Sequence, residues 1–81
     1  MLSQQQVTEK VKLVLNEKLD LDIDLLPPSA SLYKDLSIDS LDLLEVLAEL
    51  EKIFNIKVDE DDFEKVSTVG ELCSLIFKAI T

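Results

Sequence analysis

Ser40 is the residue whose surroundings most clearly indicate chemistry. It lies between Asp39 and Leu41, where a helix is predicted to begin, and Asp42 follows. A serine nucleophile needs a neighbouring base, usually histidine, yet the sequence contains no histidine and no lysine lies within one helical turn of Ser40. We therefore predict that the chain is not an enzyme and has no catalytic residue. A lysine from a distant part of the chain remains an alternative base, but we expect any reaction at this hydroxyl to be carried out by another protein.

A phosphate ester on Ser40 would meet two opposing influences. The N-terminus of a helix offers unpaired backbone N–H groups and the positive end of the helix dipole. The carboxylates of Asp39 and Asp42 oppose that attraction. We expect these acids to serve recognition by the cations of a modifying enzyme rather than stabilisation of a phosphate.

Metal and thiol chemistry find little support in the sequence. Cys73 is the only cysteine, which excludes an intramolecular disulfide and a zinc site built on several thiolates. It falls on an apolar helical stripe, so we expect a core residue. The alternating acids of Asp20–Asp24 copy the first ligand positions of a calcium loop, but Leu25 stands where glycine is required and Ser31 where glutamate should coordinate. We predict no metal site.

The charge balance limits the partners. Seventeen acidic and eight basic residues give a net charge of −9, which should repel nucleic acid and anionic membranes and attract basic protein surfaces. The same charge also serves solubility, so it does not identify a partner by itself. The N-terminal residues do not resemble a signal peptide, and no apolar stretch is long enough to span a membrane. We expect a monomer in the cytoplasm.

The elements that must position Ser40 are helical. The 81 residues predict one domain, residues 1–81, and the single glycine and two prolines favour an all-α fold over a turn-rich β fold. A capping box at Ser3 and Gln6 begins the first helix, and Pro27-Pro28 interrupts the long segment after it. We predict helices over residues 4–18, from 39 or 40 to 53 or 54, over the short segment 59–63, and from 67 or 68 onward.

This pattern predicts a small four-helix bundle of three main helices and a short third one. A long loop separates helices one and two. The loop carries four leucines that we expect to hold it against the core: Leu25, Leu26, Leu32 and Leu36.

Helix two has one apolar face and one mixed face. Leu43, Leu47, Leu50 and Phe54 recur at helical spacing and predict the core face. Leu41 points away from them, on the side of Glu45, Ala48 and Lys52. An apolar residue surrounded by acids is a candidate docking site, although a single exposed leucine is also common without any function.

These features together resemble a known family. Residues 35–42 (DLSIDSLD) resemble the phosphopantetheine attachment motif of acyl carrier proteins, with Ser37 where the motif often has glycine. Residues 54–69 resemble that family's loop, short third helix and entry to the last helix. The resemblance implies that Ser40 bears a phosphopantetheine arm derived from coenzyme A, whose thiol holds acyl groups as thioesters.

The resemblance also implies two further sets of residues. Docking to the basic patches of synthases and reductases would use Asp39, Leu41, Asp42, Glu45, Val46 and Glu51. An acyl pocket would be formed by Leu47, Leu50, Val58, Phe63, Val66 and Leu72. Phe63 is bulky where fatty-acid carriers usually have a small residue, so it shortens the pocket if it points inward and has no bearing on cargo if it points outward.

The function implied is the carriage of growing acyl chains to the enzymes of fatty-acid synthesis, after modification by a phosphopantetheinyl transferase. Carriage in polyketide or nonribosomal peptide synthesis is the first alternative. An unmodified acidic helical interaction module, which would leave Ser40 bare, is the second.

Overall fold

The part of the chain that the structure describes contains four helices. The computed structural model describes residues 2–21 and 27–81, and within them α1 spans Gln4–Leu19, α2 Ser40–Phe54, α3 Glu60–Glu64 and α4 Val69–Ile80. The predicted all-α bundle of three main helices and a short third one is confirmed, and each predicted boundary lies within two residues of the observed one. Leu25 and Leu26, which we expected to contact the core, lie outside the described residues.

The helix ends follow the capping residues in the sequence. Ser3 and Gln6 form the capping box of α1, and Thr68 and Glu71 form the same arrangement at α4. Asp39 caps α2 through its side chain. Helices α1 and α2 both end at a residue in the left-handed conformation, a common way to satisfy the last carbonyl groups of a helix.

The core is built around α1, which packs against α2 and α4, while α3 packs against α4. The three long helices contribute their apolar stripes and α3 contributes Phe63. The fully buried leucines and isoleucine of the core are Leu15, Leu32, Leu43, Leu50, Leu72 and Ile76. Cys73 is buried among them, as predicted. Burial raises the pKa of the Cys73 thiol, partly offset by a hydrogen bond with the Thr8 side chain, so the thiol stays protonated and acts as a small apolar group.

The second half of the long loop is attached to the beginning of α4. The Leu32 N–H donates to the Ser67 carbonyl at 2.8 Å, and the Gly70 N–H donates to the Pro28 carbonyl at 2.9 Å. A Cβ atom at Gly70 would lie 3.0 Å from that same Pro28 oxygen, so glycine permits the close approach. Leu32 is fully buried, which confirms its predicted contact with the core. These contacts fix the position from which the chain enters α2.

Glu71 stabilises this junction, and we expect its contribution to depend on pH. Its Oε1 atom accepts hydrogen bonds from the Ser67 Oγ at 2.7 Å and from the Ser67 and Thr68 N–H groups at 3.0 Å each. These bonds hold the pKa of Glu71 below its usual value, the Ser67 hydroxyl having the largest effect. The ionised carboxylate therefore stabilises the fold above the unfolded-state pKa, and this contribution is lost as the pH falls through the folded-state pKa.

The variant Glu71→Gln tests this expectation. The wild type should melt at a higher temperature than Glu71→Gln at pH 7, and the difference should shrink as the pH falls below about 4.3, the usual pKa of glutamate. Glu64→Gln, which removes the same charge at an exposed position of α3, should show a smaller difference at pH 7. A difference for Glu71→Gln that stays constant from pH 7 to pH 3 would contradict the assignment.

Candidate functional site

Ser40 is the first residue of α2 and its side chain is exposed. Asp39 is the N-cap, with extended backbone angles, and its Oδ1 atom accepts a hydrogen bond from the Asp42 N–H at 2.9 Å. Ile38, directly before the cap, is buried and donates its N–H to the Leu32 carbonyl at 3.0 Å. The serine is therefore exposed to solvent between a buried, hydrogen-bonded anchor and the first turn of a helix.

Ser37 lies in the turn before this anchor, at the motif position that often has glycine. Its φ angle is +55°, in the left-handed region that glycine adopts without steric cost. The motif's frequent glycine at this position therefore corresponds to a real conformational requirement. Serine meets the requirement here, so the geometry at Ser40 is retained.

An apolar track runs along α2 from the turn that contains Ser40. We use this name for Leu41, Leu44 and Ala48, which are spaced by three and four residues and are all exposed, Leu41 to 71% and Leu44 to 47%. At 1.5 Å per helical residue, the track extends about 10 Å along the helix. The predicted exposure of Leu41 is confirmed. Leu44 was missed in the sequence, although its spacing of three from Leu41 was available as a signal.

The track leads into a cleft between α2 and the residues that precede and begin α3, here called the α2–α3 cleft. Its volume is about 500 Å³. Its lining residues on α2 are Leu44, Leu47, Ala48 and Glu51, and those opposite are Lys57, Val58, Asp59 and Glu60.

The structure separates the six residues predicted for an acyl pocket. Leu47 and Val58 line the α2–α3 cleft. The other four are buried in the core and do not line it: Leu50, Phe63, Val66 and Leu72. Phe63 is only 5% exposed, so of the two orientations considered for its ring the structure has the inward one. The Phe63 ring therefore lies in the apolar core and is not part of the cleft wall.

The acidic residues are concentrated around the site. Residues 39–64 contain ten of the seventeen acidic side chains and only two of the eight lysines. Asp39, Leu41 and Glu45, which were predicted for docking, are exposed, whereas Asp42 and Glu51 are partly exposed. This distribution gives the α2 side of the molecule a strongly negative field that can steer a basic partner.

Val46, which we predicted to contact partners, has a fully buried side chain. It lies three residues after Leu43 and four before Leu50, which places all three on the core face of α2. The exposed apolar surface beside Glu45 is provided by the apolar track instead.

Comparisons with known proteins agree with this geometry. Residues 9–76 match the family described as the phosphopantetheine attachment site. The acyl carrier protein of Thermotoga maritima is 41% identical over 80 residues, covering 99% of each chain. That of Desulforapulum autotrophicum is 44% identical over 73 residues, covering 89% of this chain and 95% of the relative. A solved structure of the acyl carrier protein from Enterococcus faecalis superposes with a TM-score of 0.80 at 27% identity, covering 96% of this chain and 99% of that one.

The fold and the family match define the class as a phosphopantetheine attachment domain. More particularly, the chain belongs to the acyl carrier protein family. Members of this family are carriers rather than enzymes, their prosthetic group is phosphopantetheine, and they interact with synthesis enzymes. Within residues 2–21 and 27–81, no helix is long and apolar enough to cross a membrane, and no cluster of potential ligands could hold a metal ion.

Proposed function

We propose that Ser40 is the attachment residue for phosphopantetheine and that the chain carries growing acyl groups between the enzymes of fatty-acid synthesis in the cytoplasm, as a monomer. The observation that carries the proposal is the exposed Ser40 hydroxyl at the capped start of α2, next to an apolar track that leads to the α2–α3 cleft. When bound, the group supplies a terminal thiol that holds an acyl chain as a thioester.

The residues around Ser40 fit such a group. The hydroxyl lies in solvent and the apolar track beside it offers about 10 Å of surface for a flexible arm. During attachment the Ser40 oxygen forms a bond to the phosphorus next to pantetheine, while the pyrophosphate P–O bond of coenzyme A breaks and adenosine 3′,5′-bisphosphate leaves. We expect the serine proton to pass to a base of the transferase, because this chain has no histidine to accept it.

Tethering explains why a protein without a catalytic group assists synthesis. A tether confines a reactive intermediate near the active site of each partner, which converts an encounter in solution into an effectively intramolecular one. The acidic surface of α2 and α3 supports weak docking to basic patches, where electrostatic steering governs the association rate more than buried area does.

The assignment to fatty-acid synthesis is supported by fewer observations than the carrier function. The resemblance of residues 58–66 to the fatty-acid carriers supports fatty-acid synthesis over polyketide or nonribosomal peptide synthesis. Reconstitution of the modified protein with the elongation enzymes of each pathway distinguishes them. Turnover by the fatty-acid enzymes supports the proposal, and turnover by the others alone contradicts the pathway.

Intact mass tests the carrier function itself. The wild-type chain, incubated with coenzyme A and a phosphopantetheinyl transferase of broad specificity, should gain the mass of one phosphopantetheine. An unchanged mass, with a known carrier protein modified in the same mixture, would favour the unmodified interaction module instead.

We expect changes on the exposed side of α2 to weaken recognition without unfolding the protein. Leu41→Ala and Glu45→Lys alter exposed side chains, so the free energy of unfolding should change by about 0.5 kcal/mol or less. The rate of modification and the turnover with partner enzymes should fall in both variants. Glu9→Lys, an identical charge change at an exposed position of α1, is the matched control and should have a smaller effect. Wild-type rates in both α2 variants would show that this surface does not dock.

A further inference from the structure

A tight turn built around Ser31 precedes α2, and we call residues 31–36 the Ser31 turn. The Ser31 carbonyl accepts hydrogen bonds from the Asp35 N–H at 3.0 Å and from the Leu36 N–H at 3.1 Å. The Ser31 Oγ atom accepts another from the Lys34 N–H at 3.1 Å. In return, the Asp35 Oδ2 atom accepts a hydrogen bond from the Ser31 N–H at 2.8 Å. The Asp35 carboxylate therefore closes the Ser31 turn.

The Ser31 turn lies between the attachment of the loop to α4 and the start of α2. Its second residue, Leu32, donates its N–H to the Ser67 carbonyl before α4. The Leu32 carbonyl accepts a hydrogen bond from the Ile38 N–H at 3.0 Å, and Ile38 lies two residues before Ser40. Both bonds depend on the placement of Leu32, which the turn sets. The position of the Ser40 hydroxyl therefore depends on a turn that the Asp35 carboxylate closes.

We propose that Asp35 is a positioning residue for phosphopantetheine attachment, whose carboxylate closes the Ser31 turn and so holds the Ser40 oxygen where the transferase can align it with the reacting phosphorus. Asp35 forms no bond to a reacting atom in this role and acts through the backbone of residues 31–38. The inference rests on the proposed attachment of phosphopantetheine to Ser40. It extends the residues needed for attachment from α2 to the loop that precedes it.

The location of Asp35 favours positioning over a contribution to overall stability. Asp35 is exposed, and its carboxylate binds a loop amide outside the four helices. Loops open locally at a smaller free-energy cost than the whole domain, so loss of this bond should loosen the Ser31 turn while the helices stay folded. A misplacement of reacting atoms by about 1 Å lowers a reaction rate by about 100-fold. A small movement of the turn should therefore affect attachment more than stability.

Three substitutions of Asp35 separate the geometry of its bond from its charge. Asp35→Asn keeps an acceptor oxygen at the same distance from the backbone and removes the charge. Asp35→Glu keeps the charge, but its additional methylene group displaces the acceptor, and Asp35→Ala removes both. Positioning predicts that Asp35→Asn retains most of the attachment rate, whereas the other two variants lose it. Recognition of the charge by the transferase predicts the opposite order for Asp35→Asn and Asp35→Glu.

Steady-state kinetics with coenzyme A and a phosphopantetheinyl transferase of broad specificity measure the effect. In Asp35→Ala and Asp35→Glu, kcat should fall by about tenfold, because the serine oxygen is misplaced after docking. The KM for the carrier should change by less than about twofold, because the docking residues of α2 are intact. Glu9→Ala, which removes an acidic charge at an exposed position of α1, should retain the kcat and the KM of the wild type.

Amide hydrogen exchange follows the connection from Asp35 to the residue before the cap of α2. In the unmodified protein, Asp35→Ala should accelerate exchange of the Ser31 and Ile38 amides by about tenfold, since a hydrogen bond to a charged acceptor is lost. Asp35→Asn should have a smaller effect, because its amide oxygen accepts the same bond. The Leu72 amide, which donates to the Thr68 carbonyl within the first turn of α4, should stay protected in both variants.

Several outcomes would overturn the proposal. One is a wild-type kcat in a folded Asp35→Ala protein, and another is unchanged exchange of the Ile38 amide in that variant. A third is a kcat that falls in Asp35→Asn but not in Asp35→Glu. If Asp35→Ala fails to fold, the opposed predictions for Asp35→Asn and Asp35→Glu still decide the matter. A wild type that gains no phosphopantetheine would overturn the carrier function together with this inference, whereas a modified wild type with unaffected Asp35 variants would overturn this inference alone.

Discussion

Ser40→Ala should remain at its unmodified mass after incubation with coenzyme A and a phosphopantetheinyl transferase, under conditions in which the wild type is converted completely. The loss should be total rather than partial, because the hydroxyl oxygen is the atom that forms the new bond to phosphorus. Ser74→Ala, at an exposed position of α4, makes the same substitution away from the site and should be modified like the wild type.

The variant is informative because it should fold normally. Asp39, not Ser40, accepts the capping hydrogen bond of α2, and alanine is a good residue for the first turn of a helix. Ser40 is exposed, so the free energy of unfolding should change by about 0.5 kcal/mol or less. Thermal melts of both variants provide the control. A normal mass gain on a folded Ser40→Ala protein would place the attachment site elsewhere and contradict the proposed function.

Much of the fold could be predicted because the sequence encodes it locally. The capping boxes at Ser3 and Thr68 and the apolar spacing of the helices are short-range signals. The exposure of Leu41 followed from the same periodicity. The anchoring of the loop to α4 could not be derived in this way, because the bond between Gly70 and Pro28 joins segments that are distant along the chain.

The candidate site, like the fold, could be predicted from the sequence only in part. Ser40 and its cap lie within four consecutive residues, Asp39 to Asp42, so the motif could be recognised directly. Val46 was assigned to the docking surface through the family resemblance, although its spacing from Leu43 and Leu50 already indicated the core face. The bond from Val58 to Glu51 spans seven residues and depends on how the chain leaves α2, which no periodicity encodes.

Phe63→Ala should destabilise the unloaded protein strongly. The ring is 5% exposed and lies on α3, which packs against α4, so its removal combines lost burial with a cavity. Such substitutions typically cost about 3–5 kcal/mol, which lowers the melting temperature of a domain of this size by more than about 10 °C. Phe63→Leu, which retains most of the apolar volume, should lose much less stability and serves as the matched control.

The same substitution should change which cargo the protein accommodates. In the wild type Phe63 is buried in the core and does not line the α2–α3 cleft, so a long acyl chain can reach the interior only by displacing packed side chains. Removing the ring leaves a space that a long chain can fill, and a chain that fills it restores part of the lost apolar contact. Loading with a long acyl chain should therefore raise the melting temperature of Phe63→Ala more than that of the wild type, whereas loading with a short chain should raise both equally. If long-chain loading shifts both melting temperatures by the same amount, Phe63 does not limit the pocket, and the cargo of this carrier is set elsewhere along the cleft.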